Sequence, residues 1–119
     1  MAKKFMAIYT GSSTSAQRKA WEKMDPAQRA AREKVGIEGW MKWGEKNKTS
    51  IVDNGAPLGK TKRVTTDGIT DIRNQMAAYT VVEADSHEAA AILFENHPHF
   101  TIFPGDGVEI MECLPIPKR

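Results

Sequence analysis

Three residues of the sequence have side chains suited to proton transfer: Asp53, His97 and His99. Asp53 follows the apolar pair Ile51–Val52 and leads into a turn rich in glycine and proline. Burial at the end of a strand favours the protonated carboxyl and suits it to general acid–base catalysis. The alternative is a turn aspartate that bonds to its neighbouring backbone amides.

His97 and His99 flank Pro98 at the expected end of a helix. Imidazoles titrate near neutral pH, so either can serve as the acid or base of a reaction. Two alternatives are open: His97 stabilises the helix C-terminus as a cation, or the pair binds a metal ion together with Asp106 or Glu109. A metal site needs three or four converging ligands, and no cysteine-pair zinc motif occurs, so we predict no metal.

Four further residues are candidates for binding a ligand beside these groups: Trp40, Asn54, Lys60 and Tyr79. Trp40 can stack on a ring and Tyr79 can direct its hydroxyl into a cavity, although both residue types also fill cores. Asn54 shares the turn of Asp53, and Lys60 can bind an anionic group. The sequence has no phosphate-binding loop, nucleotide fingerprint or serine-nucleophile motif, so we predict no cofactor.

The composition indicates a single domain in a reducing compartment. The chain has 119 residues, a formal net charge of +2 and one cysteine, Cys113, so no internal disulfide can form. The small net charge argues against a nucleic-acid partner. The N-terminal apolar run is too short for a signal peptide or a spanning helix. We therefore expect one domain over residues 1–119, in the cytoplasm, with no membrane partner.

The periodicity of apolar residues predicts the elements that position these side chains. It predicts strands over 4–10, 50–52, 61–66, 69–73, 76–84 and 108–114. It predicts helices over 16–24, 26–48 and 86–95. The second helix has the sharpest start signal, because Asp25, Pro26 and Gln28 combine an N-cap, a first-turn proline and a capping-box partner. This order predicts an α+β protein, a ferredoxin-like βαββαβ fold with an antiparallel sheet.

Both faces of the first predicted strand are apolar. Phe5, Ala7 and Tyr9 share one face, and Met6 and Ile8 share the other. Two helices cover one face of such a sheet, and the open face of an antiparallel sheet is normally polar. We therefore predict a homodimer in which a second copy covers the open face and buries more than about 1,000 Å². The alternative is a monomer whose open face is a ligand groove.

Four segments of the sequence resemble the YCII-related (DGPF-type) family of the dimeric α+β barrel superfamily: Ile51-Val52-Asp53-Asn54-Gly55-Ala56-Pro57-Leu58-Gly59, Tyr79-Thr80-Val81-Val82-Glu83-Ala84-Asp85-Ser86, His97-Pro98-His99 and Val108-Glu109-Ile110. The resemblance implies a ferredoxin-like protomer and a dimer whose sheets face each other. It also implies acid–base chemistry by a His–Asp pair, with the histidine on the first long helix. Here the predicted helix 26–48 contains no histidine, while Asp53 stands near the aspartate position.

The sequence leaves two functions open. The first is an enzyme that uses Asp53 with His97 or His99 to transfer protons on a small organic molecule, as an isomerase, lyase or hydrolase. The second is a non-catalytic dimeric module that binds a small ligand. Geometry discriminates between them: an aspartate and a histidine within one water-bridged hydrogen bond in a concave pocket favour the enzyme. Histidines that both point to bulk solvent exclude it.

Overall fold

The chain forms a mixed α+β protomer with one main antiparallel sheet. The computed structural model describes residues 2–117. Along the chain the elements are β1 (Lys3–Thr10), α1 (Ala16–Lys23), α2 (Pro26–Lys46), β2 (Ile51–Pro57), β3 (Thr61–Thr65), β4 (Gly68–Ile72), β5 (Met76–Ala84), α3 (His87–Ile92), α4 (Pro98–Thr101) and β6 (Gly107–Glu112). The predicted α+β class and antiparallel sheet are confirmed.

The main sheet has the strand order β2-β5-β1-β6, which is the ferredoxin-like order once the hairpin is set aside. β1 pairs with β5 on one side and β6 on the other, so that Phe5 lies opposite both Val82 and Glu112. β3 and β4 form a separate two-stranded hairpin. The central position of β1 explains why every second side chain of this strand is fully covered.

The core lies between the main sheet and the helices. It contains the buried residues Phe5, Ala7, Tyr9, Val82, Ala90 and Phe94, with Trp40 and Trp43 of α2 packed against them. Met6 and Ile8 are half-buried on the opposite face of β1, beside Met111, which is 43% exposed. The helices therefore cover one apolar face of β1 only, and the dimer stays a prediction.

β2 is longer than the predicted strand 50–52, because its pairing with β5 extends as far as Pro57. The pairing is interrupted by two register shifts. Gly55 lies at the second of them with φ +69°, and a Cβ atom there would overlap the backbone carbonyl oxygen of Tyr79. Only glycine fits this conformation and this close approach. The extension of β2 depends on pairing with the distant strand β5, so the local periodicity of the sequence does not predict it.

The predicted role of the His97–His99 segment as a helix end is wrong. α3 ends at Ile92, and Pro98 instead occupies the first position of the short helix α4. His97 is the N-cap of α4, with the extended backbone that a residue before proline prefers. His97 therefore does not stabilise a helix C-terminus as a cation.

α2 carries its aromatic side chains to this segment. The predicted capping box is confirmed: Gln28 N–H donates to the Asp25 carboxylate at 2.8 Å, and Asp25 N–H donates to the Gln28 side chain at 3.2 Å. Further along the helix, a Cβ atom on Gly39 would lie 3.2 Å from the Pro98 ring, so α2 and α4 pack closely there. Within residues 2–117 no helix is long and apolar enough to cross a membrane.

Candidate functional site

A cavity of about 710 Å³ opens between α2, the main sheet and the loops that follow β1 and α4. Its volume is within the range of small-molecule sites. The larger apolar and aromatic side chains of its lining are Ile37, Trp40, Met41 and Phe103. Tyr79 also borders the cavity, but its pairing with Ile8 places its side chain on the open face of the sheet. Its polar side chains include Arg18, Asn54, Thr80 and His99, and none of the described aspartates or glutamates lines it.

His99 lines this cavity, and the two nitrogens of its ring differ in their partners. Its Nε2 lies 2.7 Å from the Thr10 carbonyl oxygen, which can only accept, so Nε2 carries the hydrogen. In the neutral ring Nδ1 then carries a lone pair, and it has no partner among the described residues. Every fully buried side-chain nitrogen or oxygen of residues 2–117 has a partner. Nδ1 is therefore accessible, although His99 as a whole is only 8% exposed.

The environment of His99 keeps its ring neutral at neutral pH. Burial lowers the pKa of His99 below its ordinary value of 6.5, and the Thr10 hydrogen bond and the charge of Asp106 offset part of that effect. Asp106 is itself held by Gln17, whose side-chain amide donates to the carboxylate at 2.8 Å. A neutral imidazole with a free Nδ1 is a competent proton acceptor.

His97 lies behind His99 and is fully buried. Its Nδ1 accepts the backbone N–H of His99 at 3.0 Å, so the hydrogen of the neutral ring is on Nε2. Burial, followed by the neighbouring His99, lowers the pKa of His97 to about 3. His97 is thus uncharged at neutral pH, and it holds the backbone of His99 in place.

A buried hydrogen-bond chain runs from His97 through Tyr9 and Thr80 to Asn54. Thr80 donates its hydroxyl hydrogen to the Asn54 carbonyl at 3.3 Å, so it must accept from the Tyr9 hydroxyl at 3.1 Å. Tyr9 in turn accepts the Nε2–H of His97 at 3.5 Å. Burial raises the pKa of Tyr9 to about 12, which keeps its hydroxyl protonated. Each group in this series therefore donates to the next: His97 donates to Tyr9, Tyr9 to Thr80, and Thr80 to the Asn54 carbonyl.

Aromatic packing fixes both imidazole rings. The Trp40 ring meets His97 edge-on with ring centres 4.5 Å apart, and it lies 6.1 Å from His99. The Tyr9 ring lies 5.1 Å from His97 and 5.3 Å from His99. Trp43 also contacts His97, at 4.6 Å, and its indole N–H donates to the Leu93 carbonyl. The direction in which His99 points is therefore determined by packing as well as by hydrogen bonds.

A solved structure with a similar fold is that of a 5-chloro-2-hydroxyhydroquinone dehydrochlorinase from Burkholderia phenoliruptrix AC1100, in complex with 2,5-dihydroxybenzoquinone. The similarity covers 91% of this chain and 90% of that chain, with a TM-score of 0.52 and 15% sequence identity. What the two chains share is the fold. The neighbour is a YCII-like dimeric α+β barrel protein. No protein-family profile matches this sequence, and no curated protein does.

The structure brings together most of the residues that the sequence suggested. His99, Trp40, Asn54 and Tyr79 line the cavity, and His97 lies directly behind it. Two predicted residues lie elsewhere: Asp53 and Lys60. Lys60 borders a separate polar groove beside the β3–β4 hairpin, and its side chain is exposed.

The expected burial of Asp53 is wrong. The side chain is exposed, and its Oδ1 accepts the backbone N–H of Gly55 at 2.8 Å. This is the turn arrangement that the sequence left open as the alternative. No group of three or more His, Cys, Asp or Glu side chains in the described part of the chain is arranged to hold a metal ion.

Several residues of the site were not predicted from the sequence: Tyr9, Thr10, Arg18, Thr80, Phe103 and Gly105. Thr10 contributes a backbone carbonyl, which no residue type reveals. The sequence placed Tyr9 on the same face of its strand as Phe5 and Ala7, but its hydrogen-bond partners Thr80 and His97 come from β5 and the segment before α4. Only the fold joins these distant segments.

Gly105 allows the His99 ring to occupy its position. A Cβ atom at residue 105 would overlap that ring. We expect Gly105→Ala to displace His99 from the Thr10 carbonyl and to lower the free energy of unfolding by about 1–3 kcal/mol. Urea unfolding and the imidazole NMR signals of His99 measure both effects. Gly107→Ala is the control, since a Cβ atom there meets nothing within 4 Å. Unchanged His99 signals in Gly105→Ala would contradict this account.

Proposed function

We propose that the cavity binds a small hydroxylated aromatic or quinoid molecule and that His99 transfers a proton on it. The observation that carries this proposal is a neutral His99 that lines the mostly apolar cavity, with its Nε2–H bonded to Thr10 and its Nδ1 accessible and without a partner among the described residues. A base held in a partly dry pocket, within reach of a ligand, is the arrangement that general acid–base catalysis requires.

The proposed step begins when His99 Nδ1 accepts a proton from a hydroxyl group or an acidic carbon of the ligand. The resulting imidazolium keeps its Nε2–H bond to Thr10 and is stabilised by the charge of Asp106. In an isomerisation, Nδ1–H returns the proton to another atom of the ligand. In an elimination, the leaving group departs with its bonding electrons, and the proton passes from Nδ1 to solvent.

The lining of the cavity supports this class of ligand. Trp40 and Phe103 offer ring surfaces for a flat molecule, while His99 Nδ1 accepts a hydrogen bond from a hydroxyl group. The structural neighbour is named for activity on a chlorinated hydroxyhydroquinone and has a dihydroxybenzoquinone bound. We infer that the chain is a divergent YCII-related protein in which His99 provides the histidine that α2 lacks.

A second candidate function is binding of such a molecule without chemical change. The absence of an aspartate or glutamate from the described lining favours it, because His99 then has no acidic partner inside the cavity. The two candidates differ in one measurable respect. An enzyme converts a suitable bound compound, whereas a binding module releases every compound unchanged.

We also propose that the protein is a homodimer joined through the open face of its main sheet. Met6 lies opposite Val81 on one side and Met111 on the other, and Ile8 lies opposite Tyr79 on one side and the exposed Glu109 on the other. None of the helices within residues 2–117 covers this mainly apolar patch, and exposed apolar patches commonly mark protein–protein contacts. A two-fold pairing of identical patches would bury it.

Hydroquinone and 1,4-dimethoxybenzene form a matched pair of probes for the cavity, because the dimethyl ether cannot donate a hydrogen bond. We expect hydroquinone to bind and shift the His99 imidazole NMR signals. The ether is expected to bind at least about tenfold more weakly, since it leaves Nδ1 without a partner. His99→Ala is expected to weaken hydroquinone binding by a similar factor.

The control for this experiment is His87→Ala. His87 is an exposed histidine of α3 that bonds to the Ile110 carbonyl and does not line the cavity. Its replacement is expected to leave hydroquinone affinity unchanged. Equal affinities for hydroquinone and its dimethyl ether, or wild-type affinity in His99→Ala, would contradict the proposed site.

A further inference from the structure

The β3–β4 hairpin extends from the body of the protomer and is called the arm here, residues 61–72. Its two strands pair with each other, and the described residues give them no extensive contact with any other element. An isolated two-stranded hairpin is at best marginally stable in water, and an additional packed face is needed to stabilise it. The protomer on its own does not supply that face.

One face of the arm is built like a small contact surface. Val64 and Ile69 lie directly opposite each other and are 73% and 67% exposed. Towards the base of the arm the same face carries Lys62 and Asp71, which are paired at 2.7 Å. An apolar centre beside polar groups is the usual anatomy of a protein–protein contact. Two apolar side chains bury far less than the roughly 1,000 Å² that a specific interface requires. The arm can therefore form only part of a larger protein–protein interface.

The same chain provides that larger surface. The arm leaves the main sheet after Pro57 of β2 and returns to it at Met76 of β5, so it begins at the edge of the sheet whose open face is apolar. The protomer is flat and extended, with a smallest dimension of 19 Å and a radius of gyration of 16.4 Å. A compact chain of this length has a radius of gyration of about 13.5 Å. This excess is expected of a protomer whose arm is shaped to pack on a partner.

We infer that the arm docks its Val64–Ile69 face on a second copy of this chain. The inference rests on the proposed dimer and adds an element to its interface. A copy seated on the open face of the main sheet lies beside the base of the arm. Each five-residue strand of the arm spans about 17 Å, enough to reach across the partner's edge. Two-fold symmetry then gives two arm contacts in each dimer.

The test is the dissociation constant of the dimer, measured by sedimentation equilibrium with the full chain. Val64→Asp/Ile69→Asp is expected to raise that constant by at least about tenfold, because charges replace two buried apolar side chains. The matched control is Thr65→Asp/Thr70→Asp, which adds the same charge to the opposite face of the arm. The control is expected to change the constant by less than about twofold. Ile8→Glu, on the open face of the sheet, is expected to abolish the dimer.

Hydrogen exchange provides a second measurement that does not depend on variants. Backbone amides 61–72 are expected to exchange more slowly in the wild-type dimer than in the Ile8→Glu monomer. A dimer whose dissociation constant is the same in the arm variant and the control would overturn the arm contact and leave the sheet contact intact. A wild-type protein that is monomeric at all concentrations would overturn both. Slower exchange of the arm only when another protein is added would assign the arm to a different partner and overturn the inference.

Discussion

His97→Ala is expected to lower the free energy of unfolding by about 3–5 kcal/mol, as for removal of a large buried ring. The imidazole is fully buried and packs against Trp40, Trp43 and Tyr9. It also caps α4 by accepting the backbone N–H of His99. Alanine would leave a cavity, an uncapped helix and a Tyr9 hydroxyl without its donor. Urea unfolding at pH 7 measures the loss.

Two companion variants separate these contributions. His97→Asn keeps a good N-cap acceptor but loses the ring, so we expect it to recover about 1 kcal/mol relative to alanine. His87→Ala replaces an exposed histidine outside the cavity and controls for loss of an imidazole in general. If His97→Ala costs less than about 1 kcal/mol, His97 is not the packed and bonded group described above.

Acid is expected to destabilise the protein as the pH falls below 6.5, because protonation of buried histidines favours the unfolded chain. The pKa of His97 is about 3 in the folded protein, against 6.5 for an ordinary histidine. The unfolded chain therefore binds a proton that the folded chain does not, and stability is lost as the pH falls from 6.5 towards 3. The loss is about 1.4 kcal/mol per pH unit in this window, or about 2 kcal/mol at pH 5. The lowered pKa of His99 acts in the same direction.

The unfolding free energy measured at pH 7, 6 and 5 tests this expectation. His97→Phe retains a buried ring and cannot take up a proton, so its stability should depend less steeply on pH than that of the wild type. Identical slopes for the wild type and His97→Phe would show that His97 is already protonated, or already exposed, in the folded protein.

Local signals in the sequence predicted the elements whose causes are local. The capping box at Asp25 and Gln28 predicted the start of α2, and alternation predicted β5 with its observed ends. The predicted strands 61–66 and 69–73 correspond to the β3–β4 hairpin, but its two-residue turn is Thr66–Asp67, one residue earlier than predicted, and Gly68 pairs with Thr65. Each of these features depends on side chains within a few residues of one another.

Features that depend on distant partners were harder to predict. β2 continues to Pro57 because β5 pairs with it through two irregularities, and Gly55 makes the second of these possible. Proline is common at the first position of a helix, so Pro98 could have predicted the start of α4. Pro98 was instead interpreted from the sequence as the end of the preceding helix. The difference matters because His97 is a buried neutral group, so the helix C-terminal cation that the sequence left open as an alternative is wrong.

The candidate site was only partly predictable for the same reason. His99 was among the predicted residues, but its function here depends on the Thr10 carbonyl, the Gly105 backbone and the charge of Asp106. These groups come from the end of β1 and from the loop before β6. Asp53 was the carboxylate proposed from the sequence for acid–base chemistry, but it instead accepts the Gly55 backbone N–H within its own turn.

The most direct test of the proposed site is a crystal structure of the protein with hydroquinone. We expect the ring in the cavity beside Trp40 and Phe103, with one hydroxyl within about 3.2 Å of His99 Nδ1 and the Nε2–Thr10 bond intact. A hydroquinone bound elsewhere, or a His99 ring turned so that Nδ1 bonds to the protein, would contradict it.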